Sequence, residues 1–194
     1  MAFPNPVNTL HIRPEFSTGS ARSFRISLAT SLSLDMSIPT PPMIHLKATS
    51  GSFPFQEKYI FPPGPGFPPI ILGVQIHPIH GQLSTRRALP TNGYFGPIRA
   101  GTGNMVSSVA LGANHAQIWT ANGQIFILDT ESPFGTYIND ERLDGRPRAL
   151  KTGDVVRLGI QLKRSQTTPA HVTEEQLLPI IARVILTGIP GAYA

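Results

Sequence analysis

The chain has 194 residues, a formal net charge of +5 and no cysteine, and 14% of its residues are charged. That length suits one ordinary domain with a tail, and the missing thiols exclude a disulfide framework, a cysteine nucleophile and a Cys-based zinc site. No apolar run of about 18 residues is present, so no spanning helix is expected.

The pI near 10 suits acidic partners such as phosphopeptides, nucleic acid or anionic lipid. The basic residues are scattered, however, with Arg86-Arg87 and Lys163-Arg164 the only adjacent pairs. A plain basic surface accounts for the charge equally well. The lack of cysteine fits a reducing compartment, and the expected location is intracellular, cytoplasm or nucleus.

Residues 1–42 differ from the rest. They hold Ser and Thr clusters, three arginines (Arg13, Arg22, Arg25) against two acids (Glu15, Asp35), and end in Pro39-Thr40-Pro41-Pro42. This composition predicts a disordered or weakly ordered arm; an Arg- and Ser-rich, acid-poor stretch is also compatible with an organelle transit peptide. No apolar core follows a basic start, which argues against a secretory signal.

A folded domain is expected over 43–188, with 189–194 as a tail. Met43 to Ala48 alternates and opens it. Phe53 to Pro69 is broken by prolines and glycines that forbid helix and interior strand; it reads as a surface insertion, with a polyproline-type ligand as the alternative. Ile70 to Ile76 predicts a strand or two, interrupted at Gly73. His77 and His80 lie i, i+3 apart without a third ligand nearby, which favours a surface loop over a metal pair. Gly96 to Ser108 reads as an insertion, and Gly101-Thr102-Gly103 within it as a loop lacking the context of a nucleotide-binding turn.

The densest signals lie between Leu111 and Gly159. Ala116, Ile118 and Thr120 alternate with Gln117 and Trp119, and Asn122-Gly123 supplies the positive φ values of a type I′ hairpin. Trp119 falls on the outer face, either packed under a loop or open to a partner. Gln124 to Leu128 is an apolar run of strand length, Asp129 opens a polar loop, and Thr136 to Ile138 is a further short strand. Asp144-Gly145 and Thr152-Gly153-Asp154 mark turns before a strand through Leu158. Ser165 to Gln176 predicts a polar loop with one helical turn at 173–175; Leu177 to Thr187 is mixed, with Pro179 arguing against a helix through it and Ile180 to Leu186 predicting a terminal strand. Strands at this spacing predict an all-β sandwich of two mostly antiparallel sheets.

The order of His115-Ala116-Gln117-Ile118, then Ser132, Gly135, Thr136 and Asn139, then Leu150 to Gly159 resembles the forkhead-associated (FHA) domain. Asn92-Gly93-Tyr94-Phe95 and Trp119 resemble a fungal subgroup. The resemblance implies a SMAD/FHA-type sandwich that binds phosphothreonine peptides through the loops at one end, without catalysis and without a cofactor. In that family a Ser three residues before the His and a Gly-Arg arginine hold the phosphate, and the Asn of Asn-Gly-Thr holds the peptide backbone. Here those positions are Gly112 and Phe134, and the nearest arginines are Arg86 and Arg87. At about 1.5–3 kcal/mol per hydrogen bond to a charged group, the two losses weaken binding by roughly a hundredfold or more.

The implied phosphopeptide-binding set is therefore Arg86, Arg87, Gly112, Asn114, Ser132, Phe134, Gly135, Thr136 and Asn139. His115 is implied to brace loops; its grouping with Ser132 and Asp129 is expected to be incidental, not a catalytic set. A phosphothreonine-bearing or acidic protein segment is the expected partner. The alternatives are an FHA fold that binds protein without phosphate and a basic nucleic-acid-binding β protein. The latter lacks the interleaved aromatic and basic residues of a stacking platform.

Overall fold

A computed structural model describes residues 40–76, 86–101 and 103–190. The expectations for the arm before residue 40, including a transit peptide, and for His77, His80, Thr102 and residues 191–194 lie outside the described residues. The strands are β1 (Met43–Ala48), β2 (Lys58–Ile60), β3 (Ile70–Val74), β4 (Tyr94–Phe95), β5 (Ile98–Arg99), β6 (Met105–Val106), β7 (Ala116–Ala121), β8 (Gln124–Asp129), β9 (Thr136–Ile138), β10 (Glu141–Arg142), β11 (Arg148–Ala149), β12 (Val155–Leu158) and β13 (Ile180–Thr187). A 3-10 turn at Glu175–Leu177 precedes β13. Among the described residues no helix is long and apolar enough to cross a membrane.

The period of two explains the layers. Along β13 the even positions Ile180, Ala182, Val184 and Leu186 are buried, as are Ile44 and Leu46 on β1. Across the core, Ala116 and Ile118 on β7 and Ile125 and Ile127 on β8 are buried in the same cluster. Each fully buried aliphatic side chain contributes on the order of 1.5–3 kcal/mol. Burying both inward faces produces a sandwich: a six-stranded sheet ordered β10-β9-β12-β13-β1-β2 and a five-stranded sheet ordered β11-β8-β7-β3-β4, with β5 and β6 paired as a separate hairpin.

The β7–β8 hairpin turns at Asn122 (φ 49) and Gly123 (φ 71), the backbone of a type I′ turn. The proline-rich segment folds against the end of β7: Thr120 donates its N–H to Pro63 O at 2.8 Å and its hydroxyl to Pro62 O at 3.0 Å. Trp119, half-buried beside this loop, stacks on Phe126 with ring centroids 5.9 Å apart.

Phe53 to Pro69, expected as a surface insertion, instead contributes β2 as an edge strand against β1 and buries Phe53 and Ile60 in the core. Gly73 does not interrupt a strand; β3 runs through it from Ile70 to Val74. Its N–H donates to Gly93 O at 3.1 Å, and a Cβ there would lie 2.1 Å from Ala113 O. The glycine marks a close backbone approach in an unbroken strand, and it allows β3 to pair with β4 in parallel. The segment from Gly96 to Ser108, read as an insertion, has secondary structure of its own. It carries the β5–β6 hairpin and buries Ala100, Val106 and Ser108.

Candidate functional site

The start of β7 and the end of β8 lie side by side, since Thr130 N–H donates to His115 O at 3.1 Å. Val74 N–H at the end of β3 donates to Gly112 O at 3.1 Å, and Gly159 N–H just past β12 donates to Gly135 O at 2.9 Å. These bonds gather the 111–115 and 130–136 loops at one end of the sandwich.

His115 joins the two loops. Its side chain is fully buried; Nδ1 accepts from Gly112 N–H at 3.1 Å and Nε2 lies 3.0 Å from Gly135 O. A carbonyl only accepts, so Nε2 carries the proton and the ring is neutral. Burial also pushes the imidazole pKa down, against the opposing pull of the Gly135 carbonyl and Asp129.

Asp129 organises the second loop. One oxygen accepts the hydroxyls of Ser132 and Thr136, each at 2.6 Å, and the other accepts Ser132 N–H at 3.1 Å. Ser132 and Thr136 are both buried, so their hydroxyls face inward toward this carboxylate. Ser132 bonds to Asp129 while both His115 nitrogens are committed to backbone, so His115 is not paired with Ser132.

Arg86 and Asn114 form the polar rim. Arg86 Nη1 donates to Asn114 Oδ1 at 2.8 Å, its guanidinium lies 5.8 Å from the Tyr94 ring centroid, and Asn114 O accepts the Thr130 hydroxyl at 2.7 Å. The two loops come within contact: a Cβ built on Gly112 would sit 3.6 Å from Pro133 Cδ. Phe134 is half-buried and is not among the residues packed on the core cluster. Gly135 lies under Arg142, whose Nε would be 2.6 Å from a Cβ at that position.

The structure thus brings Arg86, Gly112, Asn114, His115, Ser132, Gly135 and Thr136 to one end, with Phe134 on the same loop. Two members of the sequence-based set lie apart. Arg87 lines a different cavity. Asn139 sits at the far end of β9, about 10 Å along the strand from Thr136, in the positive-φ turn to β10. There its amide donates to Asp154 at 2.8 Å and accepts Val155 N–H at 2.8 Å, pinning that turn to β12.

Residues 106–159 match the family model described as FHA domain. That stretch of the chain is similar to an FHA domain. Solved structures similar to the chain include the FHA domain of the CT664 protein from Chlamydia trachomatis, at 15% identity over 62% of this chain and 90% of that chain, with a TM-score of 0.37. Another is the FhaA FHA domain complexed with the intracellular domain of Rv3910, at 18% identity, covering 61% and 91%, with a TM-score of 0.35. A third, from structural and functional analysis of phosphothreonine-dependent FHA domain interactions, is 19% identical, covers 74% and 96%, and has a TM-score of 0.37. Global agreement at these scores is low, and the sandwich rests on its own strand order. No curated protein matches the chain.

Sequence reasoning read Asp129 only as opening a polar loop, yet it anchors that loop through three hydrogen bonds. An Asp at a strand end with a Ser three residues on is the usual signature of a side-chain-capped turn. Pro133, which faces Gly112, carried no comparable signal.

Proposed function

We propose that this FHA-like domain is a non-catalytic intracellular interaction module that binds a phosphothreonine-bearing segment of a partner protein. The supporting observation is Arg86 hydrogen-bonded to Asn114 at the rim of two loops that His115 and Asp129 hold together. In this reading Arg86 supplies the charge for the phosphate and Asn114 orients it. Ser132, Gly135 and Thr136 shape the loop through buried bonds, and Gly112 and Phe134 occupy the positions where two contacts are missing. Asn139 supports the site only from a distance, through β9. Exposed Glu131 (φ 56) places a negative charge on the same loop, which further weakens binding of a dianion.

A nucleic-acid surface is less well supported. Among the described residues Arg146, Arg148, Arg157 and Arg164 each pair with a carboxylate within 4 Å, so much of the arginine charge is already matched.

The test is titration of a degenerate phosphothreonine peptide library and its unphosphorylated twin against the full chain and Arg86→Ala. The phosphorylated library is expected to bind weakly, the twin to bind at least tenfold more weakly, and Arg86→Ala to remove the difference. Equal binding of both libraries to the wild type would replace this reading with phosphate-independent recognition.

A further inference from the structure

A second basic site lies beside the peptide loops. Lys58 points inward from β2 and is 2% exposed. Its ammonium donates to Leu89 O at 2.7 Å and Tyr94 O at 2.5 Å and lies 5.3 Å from the Phe95 ring centroid. An ammonium has three protons, so one remains beyond the two carbonyls. The nearest carboxylate in sequence, Glu57, is occupied by His45 at 2.8 Å and Tyr59 at 3.0 Å. Among the described residues no carboxylate pairs with Lys58.

Lys58 also lines a cavity of about 340 Å³ whose wall includes Arg87, Gln75, Phe55, Ile98 and Met105, and no acid. Burial pushes the Lys58 pKa down to about 8, which leaves it charged at neutral pH, where the two carbonyls favour the protonated form. A buried charge without a counter-ion is costly. Two cationic residues lining a small cavity that contains no acid make a place where an oxyanion would offset that cost. Apolar Phe55, Ile98 and Met105 suit an anion carried on a short carbon stem better than a bare mineral anion. Met105 is 56% exposed, which leaves an apolar edge for the chain bearing that stem.

We infer that the cavity between Lys58 and Arg87 is a carboxylate subsite that receives an Asp or Glu side chain of a partner polypeptide. Arg86 and Arg87 are neighbours in the chain, yet Arg86 reaches Asn114 while Arg87 lines this cavity. The inference does not depend on phosphate recognition at Arg86, because its probe carries no phosphate.

The test is a ¹H–¹⁵N titration of the full chain with the blocked peptide Ac-Ala-Ala-Glu-Ala-Ala-NH₂, its Gln twin, sodium acetate and inorganic phosphate. The Glu peptide is expected to shift the Gln75, Ile98 and Met105 amides saturably. The Gln twin and the Arg87→Ala variant should each bind at least tenfold more weakly, and so should acetate. Lys58→Met should abolish the effect; because that variant removes two internal bonds, Arg87→Ala keeps the test decisive if it fails to fold. Equal binding of the Gln twin, or no effect of Arg87→Ala, would overturn the subsite. Phosphate binding as tightly as the Glu peptide would overturn the carboxylate assignment, and acetate doing so would overturn the polypeptide source.

Discussion

His115 can keep both of its partners in only one protonation state. A second proton at Nδ1 would face Gly112 N–H instead of accepting from it. The folded ring is therefore held neutral, with its pKa below the unfolded value of about 6.5. The unfolded chain then takes up a proton that the folded chain refuses. This contribution to stability is full above about pH 6.5 and is lost as pH falls toward the folded pKa. Urea unfolding at pH 7 and pH 5 should show the wild type losing stability on acidification, and His115→Ala losing less. At pH 7 His115→Ala should cost about 1–3 kcal/mol, since Gly112 N–H loses its acceptor. A flat pH profile in the wild type would contradict the buried neutral ring. Gly112 offers a complementary gain: the nearest neighbours of an added Cβ lie at 3.6–3.8 Å, ordinary contact distance. Gly112→Ser should fit, and alone or with Phe134→Asn it should tighten phosphothreonine-peptide binding by roughly tenfold or more, read by calorimetry.

At the level of elements, much was written in the side-chain period. Alternation from Ala116 to Thr120, the Asn122-Gly123 turn and the apolar run through Leu128 become the β7–β8 hairpin. Ile180 to Leu186 likewise falls within β13, at the centre of its sheet. Gly73 misled because a glycine in a strand pattern signals either a break or a close approach, and the partner that distinguishes them, Ala113, is forty residues away. Gly73→Ala should therefore destabilise the fold by about 1–3 kcal/mol or more, seen as a lowered melting temperature; an unchanged melt would contradict the tight packing of β3. The parallel β3–β4 pairing had no local signal either, because it depends on how the intervening chain returns. Lys58 was legible in principle: it shares its face with Ile60, and both are buried while Tyr59 between them is exposed. The divergence of Arg86 and Arg87 was not, since two like neighbours give no indication of which turns toward Asn114.

For the whole molecule, the net charge of +5 sets the sign of a favoured partner but not its place. In the proposed reading the place is the end of the sandwich that gathers the 111–115 and 130–136 loops, with Arg86 at their rim. Binding that depends on this half-exposed arginine should weaken with added salt, because exposed charges are screened over about 8–10 Å near physiological ionic strength. A phosphopeptide affinity unchanged between low salt and about 0.5 M salt would argue against a charge-led contact. The most direct test of the central claim is an amide chemical-shift map of the full chain with a phosphothreonine peptide and its unphosphorylated twin. The account predicts phosphate-dependent shifts concentrated at Arg86, Gly112 to Asn114 and Ser132 to Gly135, absent with the twin. Shifts elsewhere on the sandwich, or the same shifts with both peptides, would contradict it.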